Sequence, residues 1–178
     1  YSKIEVSSLR SIELNSREYS EIPQLVVPTP NATALVLERL YLNYDDPALL
    51  EARLTSPHTI HVLWAANGEY LIPLLASMNS VRLHSTRRLF FHLLTVPEDK
   101  DVLLNVLKSD FEGIPVPLEV IVFNSTYLSP MIKVWDGDKR LSETLNYARF
   151  YMPELLPSIN RIIYLDPDTI VVDDLGIL

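Results

Sequence analysis

The chain has 178 residues, 48% hydrophobic and 21% charged, with a formal net charge of −8 and no cysteine. That length supports one respectable core, and the negative balance argues against a general electrostatic grip on nucleic acid. The missing thiols exclude disulfides, thiolate zinc sites and cysteine nucleophiles.

No apolar run approaches transmembrane length and no signal peptide is visible. The chain opens at Tyr1 and stops at Leu178, a few residues past its richest motif. We therefore expect a piece of a longer protein, with membrane contact only through an anchor upstream of Tyr1.

Residues 1–57 lack sustained periodicity, and Pro23, Pro28 and Pro30 interrupt the first part. Ala32 to Leu42 reads as one amphipathic helix capped by Thr33 or Asn31. This region is expected to be an N-terminal extension or stem, and 58–178 the domain proper.

From His58 the pattern becomes strand–helix alternation. Ile60 to Ala65 predicts a strand, Asn67-Gly68 a turn, and Tyr70 to Leu83 a helix with Pro73 tolerated in its first turn. Its apolar stripe is Leu71, Leu74, Leu75, Met78 and Val81. Leu89 to Leu94 predicts a strand and Glu98 to Ser109 a helix. Leu118 to Phe123 predicts a third strand, Leu141 to Met152 a third helix capped by Ser142, and Arg161 to Leu165 a fourth strand. Near-continuous apolar strands alternating with helices predict an α/β fold, its mostly parallel sheet covered by helices on both faces. Ligands in such sheets bind outside the carboxyl ends of the strands.

Two motifs fall at those ends. The first is Asp166-Pro167-Asp168, where two carboxylates leave an apolar strand one residue apart. Such a pair is costly unless a cation sits between them. Pro167 helps the backbone leave strand geometry so that both can reach one ion. A divalent metal with positions open to phosphate oxygens fits. An ordinary Asp-Pro turn with both side chains in water fits the local sequence as well. The second motif is Ala65-Ala66-Asn67-Gly68-Glu69-Tyr70, whose small residues let a flat ring lie against backbone at a helix start. It can equally be a plain strand-to-helix turn. With four glycines in the chain and no Gly-rich loop, dinucleotide and P-loop readings fail.

Asn146 and Arg149 sit three apart on the third helix, beside its buried stripe, where the guanidinium could bridge sugar hydroxyls, phosphate or a carboxylate. A solvated face is the alternative. Arg82, His84, Arg87 and Arg88 are expected to be solvated cations around a helix C-terminus. Asp173 and Asp174 cap a turn or stay solvated. The four histidines show no metal-binding spacing. Two acceptor triplets, Asn31-Ala-Thr33 and Asn124-Ser-Thr126, weakly favour the secretory pathway.

Together, Ala-Ala-x-x-x-Tyr, Leu145-Asn-Tyr-Ala-Arg-Phe-Tyr-Met-Pro-Glu-Leu-Leu156 and Arg161-Ile-Ile-Tyr-Leu-Asp-Pro-Asp168 resemble glycosyltransferase family 8 over about His58 to Leu178. The resemblance implies a GT-A, Rossmann-like nucleotide-diphospho-sugar transferase fold truncated on its C-terminal side. It implies a retaining transferase that moves a hexosyl or uronosyl group from a UDP-sugar to a glycan or glycoconjugate acceptor, with Mn²⁺, in the Golgi. Carried over by motif, Asp166 and Asp168 would hold Mn²⁺ against the diphosphate, and Arg149 would contact the donor sugar or its phosphate. Ala65, Asn67 and Tyr70 would line the uridine pocket. Leu-Asn-Tyr-Ala-Arg and Val-Val-Asp-Asp-Leu look most like the plant galacturonosyltransferase-like members. Many members carry Asp where this chain has Asn67, and Asn where it has Glu69. The family's third metal ligand, a histidine, lies beyond the stretch matched. A non-catalytic nucleotide-binding or interaction module is the alternative. A nucleotidyltransferase would want a basic, Gly-rich phosphate loop that Ala65 to Tyr70 does not supply.

Overall fold

In a computed structural model, the described residues are 35–43, 47–110, 116–124, 126 and 145–178. They build a five-stranded sheet in the order β1-β4-β3-β2-β5. The strands are β1 (Val36–Leu42), β2 (Thr59–Ala65), β3 (Arg88–Thr95), β4 (Leu118–Phe123) and β5 (Ile163–Tyr164). β2 pairs in parallel with β3 and β5, and β3 with β4; β1 runs antiparallel, against β4. The helices are α1 (Pro47–Thr55), α2 (Leu71–His84), α3 (Lys100–Asp110), α4 (Leu145–Ala148) and α5 (Met152–Leu155).

The parallel strands read as unbroken apolar runs because both of their faces are covered. Val62 and Trp64 of β2, Phe91 and Leu93 of β3 and Val120 of β4 point one way, into a core closed by Leu74, Met78 and Val81 of α2 and Leu103 and Leu107 of α3. Leu63, Leu94, Ile121 and Phe123 point the other way, against Leu145 and Ala148 of α4 and Leu155 of α5. Period two along each strand thus fills two cores at once. Trp64 meets Phe91 edge-on at 5.0 Å and 86°, a geometry that aromatic quadrupoles favour.

The predicted helix over Ala32–Leu42 is overturned where it is described: Val36–Leu42 is strand β1. The reason is a demand from across the sheet. Leu40 and Leu42 pack on the first core, while Arg39 and Tyr41 on the opposite face both reach Glu119 of β4. A helix would scatter that alternation. Leu37 is the extra residue where the register shifts between Val36 and Glu38, and it is 56% exposed, as a bulged residue can be. Thr33 and Asn31, offered as caps, lie outside the described residues, as do Leu141 and Ser142. β1 belongs to the same sheet as the strands after residue 58.

The third helix is also less regular than predicted. A 3-10 turn, Arg149–Tyr151, separates α4 from α5, which runs past the expected end at Met152. Pro153 explains the break: it has no N–H for the Arg149 carbonyl, and its ring crowds that carbonyl. The fourth strand is shorter than its sequence suggests, although the Leu165 amide still donates to the Leu63 carbonyl at 3.0 Å.

Four strands share a buried polar row. His61 Nδ1 lies 3.0 Å from His92 Nε2, and His92 Nδ1 lies 2.7 Å from Glu119 Oε2. Glu119 Oε1 also accepts from Arg39 Nη1 at 2.5 Å and from the Tyr41 hydroxyl at 2.9 Å. Arg39 Nη2 in turn donates to the Leu155 carbonyl, tying the edge strand to α5. Each member has a partner, so the row can be buried without an orphaned charge.

Candidate functional site

A cleft of about 320 Å³ opens at the carboxyl ends of β2 and β5. Its walls include Ala65, Asn67, Tyr70, Arg149, Asp166 and Asp168. These six residues were singled out from the sequence, and the fold brings all of them together. They arrive from three stretches of chain, each delivered by a separate element end.

The β2 end is shaped by Asn67. Its backbone is extended and its side-chain oxygen accepts from the Glu69 amide at 3.1 Å, capping the 3-10 turn Gly68–Tyr70 that leads into α2. The β5 end leaves the sheet at Asp166. The Thr169 amide donates to the Asp166 carbonyl at 3.0 Å, closing a turn with buried Pro167 at its second position and both carboxylates exposed. Pro at that position is pre-set for such turns.

Arg149 comes from the 3-10 turn after α4. Its Nε donates to the Asn146 carbonyl at 2.8 Å, and its guanidinium carbon lies 4.9 Å from the Tyr164 ring centroid. Nη1 sits 3.7 Å from Asp166 Oδ1, a loose pair with both side chains over a third exposed. Burial pushes the Tyr164 hydroxyl up to about 12; the Arg149 charge opposes that shift and Asp166 adds to it. Glu69, Asp166 and Asp168 set three carboxylates around the cleft against the Arg149 guanidinium. Such a cleft carries more negative than positive charge and favours cations.

The model of Glycosyl transferase family 8 matches residues 61–178, which holds every element end just described. The chain belongs to glycosyltransferase family 8. Among curated relatives, "Probable galacturonosyltransferase-like 6" of Arabidopsis thaliana is 33% identical over 137 residues, 75% of this chain and 39% of that protein. "Probable galacturonosyltransferase-like 7" of the same plant is 31% identical over 154 residues, 84% of this chain and 41% of that protein. The chain thus spans about two fifths of the length of these relatives. The crystal structure of galactosyltransferase LgtC in complex with donor and acceptor sugar analogs superposes with a TM-score of 0.55 at 20% identity, over 65% of this chain and 40% of that one. At that identity the likeness shows the fold, a GT-A sheet.

For a family 8 chain, the donor set at the turn suits a hard divalent cation. Asp166 and Asp168 offer carboxylate oxygens at the cleft, the ligand type that Mg²⁺ and Mn²⁺ take. Among the described residues no group of three His, Cys, Asp or Glu side chains could hold a metal. Two carboxylates from this stretch leave the remaining positions to phosphate, water or residues elsewhere in the protein.

Sequence reasoning missed Tyr164 as a wall of the cleft and as the platform under Arg149. The signal was its parity: Tyr164 stands two before Asp166, so it faces the same side as long as the strand stays regular. The buried histidine row was also missed, because residues 61 and 92 become neighbours only through strand register. The clue was one polar residue inside each of three apolar strands. Of the cations placed at a solvated helix end, His84, Arg87 and Arg88 are exposed and Arg82 is half-buried. Asp174 caps the turn Leu175–Ile177 by accepting from the Gly176 amide at 2.8 Å.

Proposed function

We propose that this chain is the nucleotide-binding part of a retaining glycosyltransferase. The enzyme would move a hexosyl or uronosyl group from a UDP-sugar to a glycan or glycoconjugate acceptor, with Mn²⁺. The observation that carries the reading is the cleft itself: a small-residue strand exit, a cationic arm and an aspartate turn meet at one switch between strands. Asp166 and Asp168 would hold the metal. Ala65, Asn67 and Tyr70 would flank the uridine, and Arg149 would orient the donor from the opposite wall. The metal, when bound, would neutralise charge on the departing diphosphate as a Lewis acid. The names of the plant relatives support a uronosyl donor, and the family supports a place in the secretory pathway. No helix among the described residues is long and apolar enough to cross a membrane.

The deciding experiment is calorimetric titration of UDP into the complete protein with Mn²⁺, then with EDTA, and with Asp168→Ala as control. Binding that needs both the ion and Asp168 is the expected result. Tight UDP binding in EDTA would sink the metal assignment. The exposed Glu69 at the nucleotide wall favours a second reading, a module that keeps the sheet without turnover. Transfer from a UDP-sugar by the complete protein, lost in Asp168→Ala, excludes it.

A further inference from the structure

Two serines on α2 tie the two walls of the cleft together from behind. The Trp64 indole N–H, on the strand that leads to Asn67, donates to Ser77 Oγ at 2.9 Å. Ser80 Oγ donates to the Ser77 carbonyl at 2.7 Å. That bond turns the Ser80 lone pairs outward, and the Val171 amide donates to the same oxygen at 2.9 Å. Ser77 and Ser80 are buried, and neither lines the cleft.

Val171 follows the Asp166–Thr169 turn by two residues. It is the one inward residue of its stretch: Ile170 is 56% exposed and Val172 78%, against 8% for Val171. The segment leaving the aspartate turn therefore rests on α2 through one apolar side chain and one amide. Its next anchor is Asp174, which accepts from the Thr86 hydroxyl beyond the end of α2. A serine that only bonded back to its own helix would be replaceable by alanine with little effect or a small gain in helix stability. Ser80 differs because its removal leaves a buried N–H unpaired.

We propose that Ser80 is a positioning residue for the Asp166–Asp168 pair, fixing the aspartate turn against the strand that carries the nucleotide wall. This inference rests on the reading of that pair as a metal site, so its test includes a measurement that needs no metal. In the complete protein, Ser80→Ala and Ser80→Thr are compared with wild type by residue-resolved amide hydrogen exchange and by Mn²⁺ affinity from electron paramagnetic resonance. In Ser80→Ala, Val171 should exchange about tenfold faster, Thr169 several-fold faster, and Mn²⁺ should bind about fivefold more weakly. Ser80→Thr, which keeps the hydroxyl, should restore all three.

Thr169 exchange decides the matter. A Ser80→Ala protein with a loosened Val171 amide but an unchanged Thr169 amide would overturn the inference, because the turn would then be set without Ser80. If wild type binds no Mn²⁺, the metal reading fails, while accelerated Thr169 exchange still shows that Ser80 sets the turn. If Ser80→Ala does not fold, Ser80→Cys, close in size and a weak acceptor, takes its place: faster Thr169 exchange supports the role of Ser80, and unchanged exchange overturns it.

Discussion

The guanidinium of Arg149 lies over the ring of Tyr164, 4.9 Å from its centroid, and faces Asp166 across 3.7 Å. One cation is thereby held against an aromatic face and beside one of the two carboxylates of the proposed metal site. On the proposed reading, Arg149 would compete for Asp166 when no nucleotide is bound and would pair with phosphate when one is. Arg149→Gln is therefore expected to act with opposite signs. It should tighten Mn²⁺ binding alone by about twofold, since the pair is exposed and weak, and should weaken UDP-sugar binding in the presence of Mn²⁺ by about tenfold or more. Titrations of each ligand check this; weaker binding of both would show that the guanidinium does not compete.

Asn67 has a role in the fold that needs no ligand. Its side chain caps the turn Gly68–Tyr70 through the Glu69 amide. Asn67→Ala should lower stability by about 1 kcal/mol through loss of that cap. Asn67→Asp keeps an acceptor oxygen and should stay within about 0.5 kcal/mol of wild type. Denaturant midpoints separate the two variants. Equal losses would mean that the cap contributes nothing.

Acid should weaken this protein before carboxylates alone would predict. Burial holds the His61 imidazole down at about 4 from its usual 6.5; His92 adds to the effect and Glu119 opposes it. Between those values the unfolded chain takes up a proton that the folded chain refuses, so stability falls as pH drops from about 6.5 to 4. The whole loss from this group is up to about 3 kcal/mol. Burial alone would raise the Glu119 carboxyl, but the hydrogen bond and charge of His92 and the charge of Arg39 outweigh it and hold it below its usual value. Its contribution is thus present above about 4.5 and fades as pH falls through the lower folded value, in the same direction as His61. Urea midpoints at pH 7, 5.5 and 4.5 should fall in wild type and flatten between pH 7 and 5.5 in His61→Gln.

Gly68 and Asp99 bring the β3–α3 loop against the turn that follows β2. A Cβ at Gly68 would stand 2.8 Å from Asp99 Oδ1, too close unless the carboxylate turns away. The clash is with the tip of a flexible side chain, so Gly68→Ala should cost no more than about 0.5 kcal/mol in wild type, and that cost should vanish in Asp99→Ala. A double-mutant cycle reads the coupling. Additive losses would show that the backbone, not Asp99, limits the site.

Much of this arrangement could be read before the structure. β2, β3 and β4 are buried on both faces and so appear as apolar runs, and the aspartate turn and the small-residue turn lie where such runs stop. Arg149 was legible because helical spacing put it beside Leu145 and Ala148. The extent of the third helix was not, since Pro153 acts on a carbonyl four residues back while the local periodicity carries on through Met152. β1 was misread because Ala34, Leu37, Leu40 and Tyr41 recur at helical spacing and satisfy an apolar stripe locally. What selects the strand is Glu119, a buried carboxylate some eighty positions away that Arg39 and Tyr41 must both reach. Local patterns report local preferences, and a polar group buried by distant strands can reverse them.

That separation also orders the birth of the molecule. Arg39 and Glu119 stand 80 positions apart in the chain, so at ordinary synthesis rates β1 leaves the ribosome roughly 4–16 s before the strand it pairs with. During that interval its helix-compatible sequence has no ladder to join and a basic side chain without its carboxylate. Among the described strands, this edge strand is thus the first made and among the last to be placed, and its helix-compatible segment stays unpaired until β4 emerges.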